Sequence, residues 1–368
     1  MRRISVKLKD RDYTVSCGTK CWEKELLIQA GKQVKKHGCI FIIYDAKVFA
    51  LYGCQIAKVI KRSGLKYKEL VLPSGEKTKS SSQLSMVYSY LLSNKIARND
   101  FLLACGGGVT SDFTGYAAAT ILRGIKWGVL STTLLGMVDA AIGGKTGINH
   151  KFGKNLIGAF WQPSFVICDT MFINTLSSRL IVAGLGEVLK YSGLIGKAMN
   201  DLLDEYFEAG NLFDQKYLNK IVYLSAKYKA EIVSRDEREG NLRMVLNLGH
   251  TYGHAIEKSL GYGKLQHGEA VIIGLLAAIE LSERTNMKRI ASLADYKNTI
   301  KQFLELIPFC SIDISDVITH MGVDKKRKGN KLLFVLLDKP GRPIISDVNN
   351  NLIRPSLYAA LKEYELRR

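Results

Sequence analysis

Three of the chain's six histidines, His250, His254 and His267, fall within eighteen residues. His250 and His254 stand four apart in His250-Thr251-Tyr252-Gly253-His254, a spacing that puts both imidazoles on one side of a helix. Two rings so placed can bind one metal ion, as in H-E-x-x-H, but the Glu of that motif is missing and a protease of that kind is disfavoured. A catalytic zinc takes three protein ligands and keeps one position open. His267, in His267-Gly268-Glu269, is a further candidate, and a carboxylate is the natural third ligand. Glu187 lies in the apolar run Gly184-Leu185-Gly186-Glu187-Val188-Leu189, and a charge there is rarely buried without a partner. Spacing alone leaves His250 and His254 equal contenders, and chance clustering of surface histidines stays open.

Two glycine-rich stretches suggest anion chemistry. Cys105-Gly106-Gly107-Gly108-Val109-Thr110-Ser111-Asp112 follows an apolar strand and precedes an apolar helix that begins near Phe113. Glycines let a phosphate approach the backbone, and a helix N-terminus favours an anion. The run is not the G-x-G-x-x-G of dinucleotide folds, and a plain strand-to-helix turn explains it equally well. Asp45 ends an earlier strand, where a carboxylate can bind ribose hydroxyls or simply cap a helix. The second stretch, Thr132-Thr133-Leu134 followed by Val138 to Asn149, frames Lys145 with glycines. Gly153-Lys154-Asn155 repeats the theme. A lysine so framed can hold phosphate as a point charge, and the stretch is expected to form loops.

The elements that must position these groups change character along the chain. Residues 1–16 suggest a short hairpin (Ile4–Leu8 and Tyr13–Ser16). Cys39–Tyr44, Leu70–Leu72, Phe101–Ala104, Gly128–Leu130 and Phe165–Cys168 read as strands, with helices after Asp45 and over Ser80–Ser93. Strands alternating with helices imply a parallel sheet covered on both faces. Beyond residue 178, helical spacing dominates in 181–196, 215–235, 250–260, 267–286, 296–305 and 355–366. The expected organisation is an α/β domain over 1–177 and a mostly α-helical domain over 178–368, with a cleft between them as the default place for a site.

Composition narrows the classes. A chain of 368 residues buries a core without disulfide staples, and its seven cysteines, with no C-x-x-C, read as free thiols of a reducing cytosol. No stretch approaches the roughly 20 apolar residues of a membrane span, and the N-terminus is charged rather than signal-like, so a cytoplasmic protein is expected. The net charge of +19 is spread over scattered lysines and arginines with no aromatic-interleaved stripe. An anionic small substrate explains it better than a nucleic acid.

Taken together these residues resemble the 3-dehydroquinate synthase family, one of the sugar-phosphate cyclases. The resemblance runs from about residue 40 to residue 340. It is strongest over Gly106–Pro163, including Arg123-Gly124, Gly143-Gly144-Lys145-Thr146-Gly147 and Gly153-Lys154-Asn155-Leu156-Ile157-Gly158, and again over Asn247-Leu248-Gly249-His250-Thr251-Tyr252-Gly253-His254-Ala255-Ile256-Glu257. His267-Gly268-Glu269-Ala270 and Asp324-Lys325-Lys326 complete it. Ser111, where the family usually has Gly, together with Met137 and Ala140–Ala141, departs from the pattern and bears on fine cofactor geometry.

The resemblance implies a Rossmann-like nucleotide-binding domain followed by a helical metal-binding domain. It assigns zinc (or Co2+) to Glu187, His250 and His267. NAD would lie against Asp45, Ser74, Gly75, Glu76, Lys77, Thr78, Lys79, Gly108, Val109, Thr110, Ser111, Asp112, Thr132, Thr133, Lys145, Lys154, Phe172, Ile173, Asn174 and Thr175. Lys145, Asp139, Lys190, His254 and Asn155 would be catalytic; Lys229, Arg243, Asn247 and Lys325 or Lys326 would bind substrate. Arg123 would reach a neighbouring subunit's substrate, which implies a homodimer. The implied reaction is a step of the shikimate pathway, towards aromatic amino acids. 3-Deoxy-arabino-heptulosonate 7-phosphate is oxidised by NAD at C5, loses phosphate, is reduced again and closes by an intramolecular aldol to 3-dehydroquinate. Closure of the helical domain would exclude water. Other sugar-phosphate cyclases and metal-dependent polyol dehydrogenases are the nearest rivals; a basic nucleic-acid-binding protein on a dead enzyme fold is a remote one.

Overall fold

The computed structural model describes residues 1–9, 11–34, 38–261, 263–285, 293–325 and 332–366. The chain forms two compact units, Met1–Leu176 with Leu218–Arg238, and Ser177–Tyr217 with Glu239–Arg368. The single cut expected at 177/178 therefore misplaces one segment, which belongs to the first unit.

In the first unit the strands are β1 (Arg2–Val6), β2 (Tyr13–Gly18), β3 (Cys39–Asp45), β4 (Lys66–Leu72), β5 (Phe101–Gly106), β6 (Lys126–Ser131), β7 (Lys145–His150), β8 (Gly153–Phe160) and β9 (Phe165–Asp169). Seven of them make one sheet in the order β1-β2-β9-β6-β5-β3-β4. All neighbours run parallel except β1 and β2. Every residue of β5 is buried, which is why Phe101–Cys105 is continuously apolar: a parallel strand covered on both faces has no solvent side. The helices are α1 (Trp22–Gln33), α2 (Ala46–Arg62), α3 (Ser81–Ser93) and α4 (Gly108–Thr120). Asp45 and Ser80 cap α2 and α3 with their side chains.

The strand order reverses between β3 and β5. From β3 the chain steps outward to β4, then returns to the other flank of β3 as β5. The ends of β3 and β5 at such a switch point are where open α/β sheets hold ligands. Those ends are Asp45 and the Gly106–Gly108 turn.

The Lys145–Phe160 stretch is not loop. β7 and β8 pair as an antiparallel ribbon, in which Gly147 and Gly158 let the two backbones approach too closely for any side chain. Helix α7 (Gln215–Arg235) supplies the returning segment. Its Leu218, Ile221, Val222 and Ala226 are buried; Asn219 hydrogen-bonds Thr19, and Lys7 donates its backbone N–H to Ser234. Helical spacing in the sequence reveals the apolar stripe but not which core receives it.

The second unit is built on α5 (Ser178–Ile195), α6 (Lys197–Glu208), α8 (His250–Ser259), α9 (His267–Thr285), α10 (Ala294–Leu304), α11 (Ile314–Lys325) and α12 (Asn350–Glu365), with one hairpin of β10 (Leu333–Lys339) and β11 (Arg342–Asp347). Helix α9 is buried on all sides from Gly268 to Ser282, as an all-round apolar helix must be. Its neighbours touch it backbone to backbone. A Cβ on Gly186 of α5 would collide with the Gly268 carbonyl, and one on Gly274 with Gly249 and Gly253 at the start of α8. Among the described residues no helix is long and apolar enough to cross a membrane.

Candidate active site

The helices of the second unit bring Glu187, His250 and His267 together. Glu187 is 1% exposed and lies on α5. Its Oε1 is 3.2 Å from His250 Nε2 and 3.1 Å from His267 Nε2. Its Oε2 is 2.5 Å from Lys190 Nζ, one helical turn on. Each of the three residues adjoins a glycine of the close helix contacts: Gly186, Gly249 and Gly268. Removing those side chains is what lets the three backbones converge. The start of α9 is also fixed from outside. Glu269 accepts the backbone N–H of Gln266, a box-type cap, and is gripped by Arg179 of α5. Gln266 is not one of the Ser or Thr residues that mark such a box in sequence, and the Arg179 partner carries no local signal either.

The donor set fits a divalent metal. Zinc at about 2.0–2.1 Å from N and O ligands sets adjacent ligand atoms roughly 3.3 Å apart in a tetrahedron, close to the separations across this cluster. The charges agree. Burial by itself would raise the Glu187 carboxyl, but Lys190 and His250 outweigh it and hold the group well below the usual carboxylate range. Burial opposes charge on His267, yet hydrogen bonds to Glu187 and Glu257 lift it to about 10. The Glu187 and Glu257 carboxylates thus favour positive charge on the His267 ring and beside it. His254 belongs to the same cluster, since one nitrogen from each of the three histidines lies within 4.8 Å of the others. His254 as a residue reaches solvent, but the protein around its ring, then His250 and His267, pushes its pKa down. Arg243, 1% exposed, sits in the Leu242–Asn247 turn, where Asn247 donates to Glu239. Lys325 ends α11; Lys326 lies outside the described residues.

The first unit gathers the remaining residues into two networks. Asp139, in the turn Gly136–Ala140, is paired with Lys229 of α7 at 2.9 Å, and the same ammonium donates to the Asp139 carbonyl. Lys79, 3% exposed, is clamped between Asp112 (2.6 Å) and Asn155. Burial raises the Asp112 carboxyl against the pull of Lys79. Asn149 ties this network together, donating to Glu76 and accepting the Asn155 N–H. Lys145 opens β7 with its side chain exposed, and Lys154 stands in β8 beside Asn155.

At the switch point, helix α4 starts at Gly108, earlier than expected from sequence, and Thr133 and Ala140 crowd its first glycines. Thr132 and Ser131 lie buried beside this turn, and Ser111 turns its hydroxyl back to the Gly108 carbonyl. Asp45 caps α2 and also accepts from the Ser74 hydroxyl at 2.6 Å. Phe172 and Ile173 are fully buried, Phe172 between Trp22 and Tyr52; they offer a ligand only backbone. Thr175 is bonded to Tyr52, and Asn174 lies exposed between them and Thr175 in the same turn. Arg123 occupies a run of three left-handed residues, Leu122, Arg123 and Gly124 (φ 50°, 65° and 111°), a strained presentation of an exposed arginine.

Solved structures similar to this architecture include two carbocycle-forming synthases. A 2-deoxy-scyllo-inosose synthase complexed with carbaglucose-6-phosphate, NAD+ and Co2+ superposes with a TM-score of 0.86 at 23% identity, covering 97% of this chain and 99% of that one. A 2-epi-5-epi-valiolone synthase from Streptomyces hygroscopicus subsp. jinggangensis 5008 with NAD+ and Zn2+ bound gives 0.84 at 24% identity, with 98% and 99% covered. At these identities the likeness is one of fold. The sequence goes further. Residues 69–183 match the 3-dehydroquinate synthase N-terminal family and residues 184–327 the 3-dehydroquinate synthase C-terminal family. A 3-dehydroquinate synthase of Acidithiobacillus ferrooxidans is 38% identical over 347 residues, 94% of each chain. The chain belongs to the 3-dehydroquinate synthase family.

Proposed function

We propose that this protein converts 3-deoxy-arabino-heptulosonate 7-phosphate to 3-dehydroquinate and phosphate, with NAD recycled in each turnover and zinc held by Glu187, His250 and His267. The observation that carries this reading is the convergence of two imidazole Nε2 atoms on one buried carboxylate oxygen, in a chain of this family. When bound, the metal supplies a Lewis acid for substrate hydroxyls and NAD a reversible hydride acceptor.

The protein's own groups bind and orient. Lys190, Lys229, Arg243 and Arg123 are suited to a ligand carrying both a carboxylate and a phosphate. Lys229 is already positioned by Asp139, so its ammonium loses little freedom on binding. His254 and Lys145 are the proposed proton carriers at the departing phosphate. The His254 ring is kept neutral by its surroundings, so it offers that phosphate a hydrogen bond without a fixed charge. Asp45 with the Gly108–Asp112 helix start, the Ser74–Lys79 turn, Thr132, Thr133 and Lys154 form the proposed NAD site, and Lys79 links it to Asn155. A homodimer and a cytoplasmic location accompany this reading.

The test is direct. The purified protein, given the heptulosonate phosphate, zinc and catalytic NAD, releases phosphate and dehydroquinate in equal amounts without net NADH. Net NADH from a simple polyol would indicate a dehydrogenase instead, and phosphate release with a different carbocycle another cyclase.

A further inference from the structure

Helix α8 carries one more ionisable group on the face that presents His250 and His254. Glu257 follows at the i+7 position, on the same stripe. It is 5% exposed, and a carboxylate withdrawn from water needs compensation. Its Oε2 lies 3.3 Å from His267 Nδ1. The opposite nitrogen of that ring, Nε2, faces Glu187. His250 is arranged in the same sense: Nδ1 is 3.0 Å from the Leu248 carbonyl, and Nε2 faces Glu187. Both imidazoles are therefore held by an acceptor at Nδ1 and offer Nε2 to the same point. The acceptors differ in charge, a neutral carbonyl for His250 and a carboxylate for His267.

We propose that Glu257 is a positioning residue of the metal centre: it fixes the Nδ1–H tautomer of His267 and makes Nε2 the more basic donor. This rests on His267 and His250 being metal ligands. Glu257 is not itself a ligand of the same ion, because it addresses the far edge of the His267 ring. Acceptors behind a ligating histidine orient the ring and raise its donor strength, and their removal weakens metal binding roughly 10- to 100-fold.

The test uses the full-length protein and zinc affinity, measured by competition with a chromogenic chelator, beside the d–d spectrum of the Co2+ form. Glu257→Gln keeps the shape and an acceptor oxygen but removes the charge; it is expected to bind zinc at least about tenfold more weakly, with an unchanged melting temperature of the metal-free protein. Glu257→Asp keeps the charge with a shorter reach and should fall between Glu257→Gln and the parent. His267→Ala serves as the reference. If it retains the parent's zinc affinity, the ligand assignment itself fails. If it loses zinc while Glu257→Gln binds within twofold of the parent, the positioning role alone is overturned. Equal loss of zinc and of metal-free stability in both Glu257 variants would reduce the residue to a fold contact and likewise overturn it.

Discussion

Replacing Gly268 with alanine puts a methyl group inside the backbone of α5. The new Cβ would stand 2.6 Å from the Ala183 carbonyl carbon and 3.0 Å from its Cα, whereas ordinary carbon contacts begin near 3.4 Å. Relief at the carbonyl carbon requires the helices to part by 3.4 − 2.6, or 0.8 Å. The Ala183 carbonyl oxygen stands nearer still, which makes this separation a minimum, and all three obstacles are backbone, so no rotamer change provides it. Gly268 adjoins His267, and Gly186, across the contact, adjoins Glu187. A separation of that size is about four times the ±0.2 Å latitude of metal–ligand distances. Overpacking of this kind costs about 1–3 kcal/mol, and the lost ligand geometry adds to it. Gly268→Ala should therefore bind zinc at least about tenfold more weakly and melt several degrees lower. Chelator competition and a thermal melt read both quantities. A variant with the parent's zinc affinity and melting temperature would refute the idea that glycine contacts set the ligand spacing.

Other substitutions probe neighbouring parts of the same physics. Gly31 lies inside α1, and a methyl group added there would meet nothing within 4 Å. It should accept alanine with a gain of about 0.5–1 kcal/mol in denaturant unfolding and unchanged zinc binding. Arg179→Ala strips the buried Glu269 of its bidentate partner and should cost about 1–3 kcal/mol, less than a fully buried pair because Arg179 is half exposed; chemical denaturation measures it. Glu25 is buried, yet Arg3, Gln29 and Ser16 overcome that burial and hold its carboxyl below the ordinary value of 4.5. Its contribution is present above pH 4.5 and is lost as pH falls through the lowered folded value. Glu25→Gln should flatten that part of the stability-against-pH curve in urea melts; an unchanged slope below pH 4.5 would count against the pairing.

The parallel strands were legible because burial on both faces leaves a run such as Ile40–Tyr44 with no polar interruption. The long helices of the second unit were legible because their apolar spacing is local. What could not be read depends on residues distant in sequence. Helix α1 begins where the Asp169 carboxylate receives the N–H groups of Lys20, Cys21 and Trp22, and nothing near Trp22 announces it. The β7–β8 ribbon passed for loop because its glycines serve strand approach rather than turns. At the site, the types and spacing of His250, His254 and His267 disclosed a metal candidate. Only the shared approach to Glu187 distinguishes the nitrogens facing it, and the acceptors behind the rings, Leu248 and Glu257, emerge from helix geometry.

The chain leaves its first unit at Leu176 and re-enters it at Leu218. This interleaving limits how such a gene can be reshuffled. A crossover at the apparent boundary, joining one relative's N-terminal half to another's C-terminal half, would hand the first unit a foreign α7. The Asp139–Lys229 pair would then be assembled from two lineages. A chimera that keeps residues Leu218–Arg238 with the first unit keeps that pair, and the sheet it serves, within one lineage.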